Sequence, residues 1–205
     1  MVPIDNSDRR YGAVAMILHW TMALLLVALV VLGLYMTRLP DVGFDKKKIL
    51  LIIYHKELGI VALGLAALRF AWRFGSILPR LTAHMPEWQK VAARFVHLCF
   101  YGLMFALPIS GWLMSSASGI PVPFFGLFYL PDLIPYNETR FHQLIAVHHW
   151  LGYALIPFIL VHAGAALHHH FVKRDETLEK MLPEREATSP LELAPSSSGG
   201  GRRPG

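Results

Sequence analysis

Four long apolar stretches, separated by short charged segments, make up most of the chain. The first carries no charged residue between Arg10 and Arg38, and the fourth is uncharged from Phe141 to Val172. Each stretch has roughly 20 or more residues, the length at which an α-helix crosses the apolar core of a bilayer. The pattern therefore predicts an all-α integral membrane protein, an up-down four-helix bundle with helices at about residues 13–37, 48–72, 91–115 and 141–172.

The chain divides into a predicted membrane domain, residues 1–182, and a tail, residues 183–205. The tail is rich in Pro, Ser and Gly and contains an unbroken Ser/Gly run at 196–201. This composition is typical of disordered chain, so we expect a disordered tail. The connection at 115–140 is rich in Pro, Phe and Gly instead, which predicts an ordered hairpin at the membrane interface.

Composition agrees with a membrane protein and excludes several soluble classes. Hydrophobic residues make up 54% of the chain and charged residues 16%, whereas soluble domains carry roughly 25% charged residues. The single cysteine, Cys99, has no intrachain partner, so the chain is not a disulfide scaffold. The net charge of +5 is not gathered on a polar face, so we expect membrane lipid rather than nucleic acid as a partner.

The distribution of Lys and Arg predicts the orientation of the bundle. Thirteen of these residues flank the end of the bundle that holds both termini, and six flank the opposite end. Positively charged segments stay preferentially in the cytoplasm. Both termini are therefore expected to be cytoplasmic, although the run at 46–48 counts against this orientation.

Eleven histidines stand in this apolar chain, and several of them lie inside predicted helices. An ionisable residue inside a membrane span is a functional candidate by default. In an antiparallel bundle, depth pairs His19 with His162 in the cytoplasmic half and His55 with His148 in the outer half. A single such histidine can equally form an interhelical hydrogen bond, but matched depth favours a shared site.

Helical phase supports this pairing. His148 and His162 are fourteen residues apart, which returns them to within about 40° of one face and separates them by about 21 Å. His149 lies about 100° from that face and is the poorer candidate. The same interval after His55 reaches Arg69, which places an arginine at the depth of the His19–His162 pair.

Two facing imidazoles with no nearby Cys, Asp or Glu suit haem iron, because haem supplies four ligands of its own. A zinc site would need about four protein ligands. The chain has no C-x-x-C-H motif for covalent attachment, so the sequence predicts two non-covalent b-type haems. Their metal ligands would be His19, His55, His148 and His162.

Four further residues are candidates for contacts with the cofactor. Arg69 and Arg73 are suited to neutralise haem propionates. His97 has no depth-matched partner left, so we interpret it as a propionate contact or an interhelical hydrogen-bonding residue. His169 shares a face with His162 and is a candidate for a propionate or quinone contact.

Several motifs occur in order along the four predicted helices. They are Ile17-Leu18-His19-Trp20, then Tyr54-His55-Lys56-Glu57-Leu58-Gly59 with Arg69, then His97 with Tyr101 and Ala106-Leu107-Pro108-Ile109-Ser110-Gly111, then His148, Leu151-Gly152-Tyr153, His162-Ala163, His169-His170 and Met181-Leu182-Pro183. With this ordered set, the chain resembles the bacterial cytochrome b-561 family, which is related to the cytochrome b subunits of nickel–iron hydrogenases. The resemblance covers roughly residues 10 to 183.

The resemblance implies a di-haem b cytochrome of the bacterial inner membrane that exchanges electrons with the quinone pool. It also implies the same pairing of ligands. One activity in the family is oxidation of superoxide with reduction of ubiquinone, and the donor here could be superoxide or a redox protein. An alternative is an anchor subunit of a dehydrogenase or hydrogenase complex. In a different class, the histidines could line a metal-ion or proton path in a transporter.

Overall fold

The computed structural model describes residues 3–8, 10–40, 45–79 and 85–183. Four helices dominate it: α1 (Ala13–Thr37), α2 (Lys46–Gly75), α3 (Glu87–Ala117) and α4 (Glu138–His168). All four are long and apolar enough to cross a membrane, which confirms the predicted membrane helices. The predicted disordered tail lies, apart from Pro183, outside the described residues.

Three helices begin a few residues before their predicted positions, and side-chain capping explains this for α2 and α4. The Asp45 side chain accepts hydrogen bonds from the backbone amides of Lys47 and Lys48, so α2 includes the lysine run. Asn137 accepts from the amide of Arg140 in the same way at the start of α4. Such side chains satisfy amide groups that the first helical turn leaves free. The α3 helix begins directly after Pro86.

Consecutive helices run antiparallel. Three hydrogen bonds show this arrangement, each joining the early part of one helix to the late part of its neighbour: His19–Arg69, Lys56–Ser115 and His148–Ser110. Residues preceding α1 and following α4 therefore lie at the same end of the bundle, which we call the terminal end. The opposite end carries a β-hairpin and is called the hairpin end.

A layer of apolar side chains fills the middle of the bundle. Leu155 is 1% exposed and lies seven residues from both His148 and His162 on α4. Its partners in the buried core are Met22, Leu26, Ala66, Leu103 and Met104. Since seven residues correspond to two helical turns, this layer separates the two levels at which the histidines lie.

The hairpin end departs from the all-α prediction. The strands β1 (Val122–Phe124) and β2 (Phe128–Leu130) pair antiparallel, as the Pro/Phe/Gly-rich connection suggests. Phe125 and Gly126 both have positive φ at the turn, the backbone that a tight hairpin requires. Glu57, only 4% exposed, accepts a hydrogen bond from the Phe125 amide at 2.8 Å and ties the hairpin to α2.

The chain folds back on itself at the terminal end. A π-helical turn, His169–Lys173, follows α4 and leads into a segment that reaches the start of α1. The indole of Trp20 donates to the Met181 carbonyl at 2.8 Å. The Arg10 guanidinium donates to the carbonyls of Glu179 and Leu182. These contacts hold the two ends of the described chain together beneath the bundle.

Candidate functional site

Two pairs of histidines face each other across the bundle. The ring centres of His55 and His148, which we call the hairpin pair, are 6.1 Å apart. The ring centres of His19 and His162, the terminal pair, are also 6.1 Å apart. The structure thus brings together the residues that depth and phase pair in the sequence.

This separation fits a metal ion held between two imidazoles. An imidazole nitrogen lies about 1.1 Å from the ring centre and binds a metal at about 2.0–2.1 Å, so two imidazoles on opposite sides of one ion have centres about 6.2 Å apart. Both pairs match this value. Within the described ranges, no three or more His, Cys, Asp or Glu residues lie close enough to hold a metal ion together. The arrangement therefore suits a metal that brings most of its own ligands, as haem iron does.

In the hairpin pair, α3 supports one of the two rings. The Nδ1 atom of His148 lies 2.9 Å from the Ser110 hydroxyl oxygen. Gly111 adjoins the same ring, since a Cβ at this position would lie 3.2 Å from Cε1 of His148. The glycine therefore lets the imidazole approach the α3 backbone closely.

His55, the other ring of the hairpin pair, has a different environment. Its Nδ1 atom is buried and has no hydrogen-bond partner among the described residues. Gly33 of α1 adjoins the ring, because a Cβ there would lie 3.4 Å from Cε1. Both rings of the hairpin pair thus pack against a glycine of a neighbouring helix, but only His148 is held by a hydrogen bond.

An apolar cleft contains the hairpin pair. Besides the two histidines, its lining includes Gly59 and Gly152, where an added Cβ would meet nothing within 4 Å. Ligand pockets are typically apolar with few polar groups. The cleft therefore has the apolar character that a flat apolar macrocycle requires.

Cationic and aromatic groups surround the terminal pair. The Arg69 guanidinium donates to Nδ1 of His19 at 3.1 Å. His97 of α3 lies beside His162, with ring centres 5.5 Å apart, so it shares the depth of the terminal pair, and its role as a propionate contact or interhelical hydrogen-bonding residue stays a prediction. The antiparallel packing of α3 on α4 brings them together, and His162 lies between His19 and His97.

A second arginine and a tyrosine extend this cluster toward the terminal end. The Arg73 guanidinium lies 5.6 Å from the ring centre of Tyr101, a cation–π distance. Tyr11, just before α1, is close to Arg69 and Arg73. Burial raises the pKa of Tyr11, and the two guanidinium charges oppose this effect. The phenol therefore remains a neutral hydrogen-bonding group at physiological pH.

His169 is held outside the terminal pair. Its Nδ1 atom lies 2.5 Å from the Asp175 carboxylate, in the turn that follows the π-helical segment. Burial acts to raise the pKa of Asp175, but hydrogen bonds from Thr177 and His169 outweigh it and lower that pKa. In this structure His169 anchors the segment that follows the π-helical turn, residues 174–183, which we call the fold-back segment. The predicted cofactor contact of His169 stays a prediction.

Comparison with known proteins shows the family of the chain. Residues 10–184 match the family described as prokaryotic cytochrome b561. The chain belongs to that family. It is 34% identical over 179 residues to cytochrome b561 homolog 2 of Escherichia coli strain K12, covering 86% of this chain and 93% of the relative. Cytochrome b561 homolog 1 of the same strain is 31% identical over 181 residues, covering 86% and 99%.

A third relative carries a name that describes an activity. The probable superoxide oxidase CybB of Yersinia pestis is 27% identical over 177 residues, covering 86% of this chain and 98% of the relative. Membership of the cytochrome b561 family makes this chain a membrane cytochrome of electron transport with a b-type haem cofactor.

Some residues of this cytochrome b561 site are not identified by sequence reasoning. Ser110 occurs in a motif shared with the family, but its contact with His148 depends on how α3 packs against α4. Tyr11 precedes α1 and shows no signal beyond proximity along the chain to the first helix. Glu57 is an intramembrane carboxylate, which is a signal in itself, and the structure assigns it to the hairpin.

Proposed function

We propose that this cytochrome b561 holds two b haems, each between two histidines, and transfers electrons between a donor and the quinone pool. The terminal pair, His19 and His162, would hold one haem, and the hairpin pair, His55 and His148, the other. The observation that supports this proposal is the equal 6.1 Å separation of the ring centres in both pairs.

The residues around the pairs perform the tasks that electron transfer requires of a protein. Haem iron supplies a one-electron couple between the ferric and ferrous states. The four histidines fix two sites about 21 Å apart along the membrane normal. Leu155 and the rest of the apolar layer keep water out of the space between the sites. Arg69 and Arg73 supply positive charge for propionates at the terminal pair.

Iron binding at the terminal pair requires Arg69 to change its hydrogen bond. A guanidinium only donates, so Nδ1 of His19 accepts and the ring proton is on Nε2. A histidine that binds a metal through Nε2 carries its proton on Nδ1. We infer that Arg69 leaves His19 when the site is loaded, which frees its charge for a propionate.

The orientation proposed for the protein follows the charge distribution. Counted along the sequence, thirteen Lys and Arg residues lie in the segments before the first span, between the second and third spans and after the fourth, against six in the other connections, so the termini would be cytoplasmic in the bacterial inner membrane. The terminal pair would then lie in the cytoplasmic half of the membrane and the hairpin pair in the outer half.

The donor and the direction of electron flow belong to the same proposal. One relative is named a probable superoxide oxidase, so superoxide is a candidate donor for this chain, with ubiquinone as the acceptor. A soluble redox protein is the alternative donor, for which the protein would serve as a membrane anchor. Stable co-purification with a redox subunit would support the anchor role.

An optical spectrum with haem quantification tests the cofactor content. We expect the full-length purified protein to contain two haems per chain and to show the spectrum of low-spin b haem on reduction. A haem-free protein that binds divalent metal stoichiometrically would contradict the proposal and support a transporter. One haem per chain would contradict only the assignment of both pairs.

A rapid-mixing experiment tests the donor and acceptor. The oxidised protein is mixed with superoxide, and haem reduction is followed with and without a water-soluble ubiquinone. Fast reduction by superoxide, followed by reoxidation on addition of the quinone, is the expected result. Reduction that a soluble dehydrogenase supports and superoxide does not would favour the anchor role.

A further inference from the structure

Ser110 of α3 is buried between two polar groups that determine what its hydroxyl can do. Ser110 is only 6% exposed. Its oxygen lies 2.8 Å from the Leu107 carbonyl oxygen and 2.9 Å from Nδ1 of His148. A hydroxyl has one proton to donate and lone pairs to accept. Since a carbonyl oxygen only accepts, the hydroxyl proton goes to Leu107, and the hydroxyl oxygen accepts from the N–H of His148. The Leu107 carbonyl is a second hydrogen-bond partner of the same ring.

This contact defines which ring nitrogen of His148 carries the proton. With the proton on Nδ1, the nitrogen of His148 that keeps a free lone pair is Nε2. Metal-binding histidines characteristically donate their second N–H to a carbonyl, carboxylate or water, which fixes the tautomer and the orientation of the ring. The contact between Ser110 and His148 has the form of this interaction.

The neighbouring residue completes the support. A Cβ at Gly111 would lie 3.2 Å from Cε1 and 3.5 Å from Nδ1 of His148, which is closer than most side chains tolerate. The absence of a side chain at Gly111 therefore allows the ring to lie against α3 within reach of the hydroxyl. The two adjacent residues thus act together on one imidazole.

We propose that Ser110 is a positioning residue for His148, which holds the ring for ligation through Nε2 and lowers the reduction potential of the haem at the hairpin pair. This inference rests on the proposed function, because it requires a haem at that pair. Nothing comparable supports His55, whose Nδ1 has no partner in the part of the chain that the structure describes.

The direction of the effect follows from ligand basicity. A hydrogen bond donated by Nδ1–H leaves more electron density on the ring and makes Nε2 a stronger donor to the metal. A stronger donor stabilises ferric iron relative to ferrous iron, which lowers the reduction potential. Removing the hydroxyl leaves the Leu107 carbonyl as the remaining acceptor and weakens this support, which should raise the potential of this haem alone.

The test compares Ser110→Ala with the wild type in redox titrations of the full-length, haem-loaded protein. We expect the ferrous-to-ferric ratio at the hairpin pair to rise about tenfold at a given solution potential, a shift of about 59 mV for a one-electron couple. The haem at the terminal pair should not shift. Ser110→Thr keeps the hydroxyl and should restore the wild-type potential.

Ser116→Ala is the matched control. Ser116 is a buried serine of the same helix, and its hydroxyl donates to the Trp112 carbonyl and accepts from the Leu133 amide rather than from a histidine. This variant removes a hydroxyl of equal size near the same end of the bundle. Both haem potentials should remain at their wild-type values.

The possible outcomes distinguish the role of Ser110 from the presence of two haems. Loss of only the hairpin haem in Ser110→Ala, with retention in Ser110→Thr, supports positioning of His148. Unchanged potentials in Ser110→Ala, equal shifts of both haems, or loss of both haems would overturn the role of Ser110 and leave the two-haem proposal intact. A wild-type protein without haem at the hairpin pair would overturn the assignment of a haem to that pair, which is the part of the proposed function on which this inference rests.

Discussion

The two histidine pairs have the same ring separation but opposite surroundings. The hairpin pair lies in an apolar cleft, and one of its rings is fixed by a neutral hydroxyl. The terminal pair is surrounded by an arginine hydrogen-bonded to His19 and a third histidine beside His162. The bundle therefore offers one neutral site and one positively charged site for the same cofactor.

The neighbouring side chains make the two histidine pairs chemically unequal, although the helices hold both pairs in the same way. The bundle geometry sets the ring separation, which is equal, whereas the neighbouring side chains determine the charge, which is not. Positive charge near a haem disfavours the ferric state, and the low dielectric of the bundle interior strengthens this effect. We expect the terminal haem to have the higher potential, so that electrons move downhill from the hairpin end to the terminal end.

The largest expected effect is the loss of a single haem on removal of one ligand. His55→Ala should abolish the hairpin haem and His19→Ala the terminal haem, each leaving the other haem spectroscopically intact. Haem-to-protein stoichiometry should fall from two to one. His149→Ala is the control, because it alters the residue adjacent to His148 and should retain both haems.

Loss of both haems in either single variant would contradict the view that the two histidine pairs are separate sites. It would show that the histidine supports the fold of the whole bundle and that the two sites do not load independently. Loss of the hairpin haem in His149→Ala would instead show that the helical phase of α4 has been assigned one residue out of register.

A second, smaller effect concerns the charge at the terminal pair. Arg69→Gln removes the guanidinium beside His19, so the ferric state should be stabilised and the potential of the terminal haem should fall. A tenfold change in the ferric-to-ferrous ratio corresponds to about 59 mV. Potentiometric titration of the two haems measures the shift, and the hairpin haem should remain unchanged.

Arg94→Gln provides the matched charge control for this experiment. Arg94 lies on α3 toward the terminal end and is exposed, so solvent and salt screen its charge. A shift as large in Arg94→Gln as in Arg69→Gln would mean that the overall charge of the protein, rather than the guanidinium of Arg69 at the terminal pair, sets the potential.

The smallest effect concerns the fold-back segment next to the terminal pair. Asp175→Asn weakens the hydrogen bond to His169, so the thermal unfolding temperature should fall slightly at neutral pH. The native pKa of Asp175 is lowered by its hydrogen bonds from Thr177 and His169, despite the opposing effect of burial. The resulting stabilisation is complete above the unfolded-state pKa of about 3.9 and is lost as the pH falls through the lower native pKa.

Unfolding temperatures of the wild type and Asp175→Asn, measured from pH 7 downward, should therefore converge in acid. Asp132→Asn, which alters an exposed aspartate near the hairpin end, serves as the control and should leave the unfolding temperature unchanged. A difference between wild type and Asp175→Asn that grows on acidification would contradict the assigned direction of the pKa.

Much of the fold is predictable because membrane helices have a strong local signal. The uncharged run of α1 and its end at Thr37 follow directly from hydrophobicity and length. The hairpin is predictable from its Pro, Phe and Gly content, but its attachment to α2 is not, since that attachment depends on the contact between Phe125 and Glu57. That contact joins residues 68 positions apart, which no local pattern encodes.

The site is predictable to a similar degree. Depth and a fourteen-residue interval are one-dimensional quantities, so the facing of His55 by His148 can be inferred from the sequence. The position of His97 beside His162 cannot be inferred from the sequence, because depth alone does not reveal that α3 turns His97 toward that ring. Likewise, the position of Arg69 at the right depth is readable, whereas its hydrogen bond to His19 is not.

The four membrane helices, the depths of the histidines and the family can therefore be inferred from the amino-acid sequence, because these depend on hydrophobic length, helical period and motif order. The surroundings of each imidazole follow from helix packing instead: a hydroxyl beside His148, an arginine beside His19, and no hydrogen-bond partner for Nδ1 of His55 among the described residues. Helices pack by the fit of their side chains, and a small rotation of α3 changes the neighbours of His148 without altering the hydrophobic pattern. The chemical difference between the two sites therefore arises from helix packing.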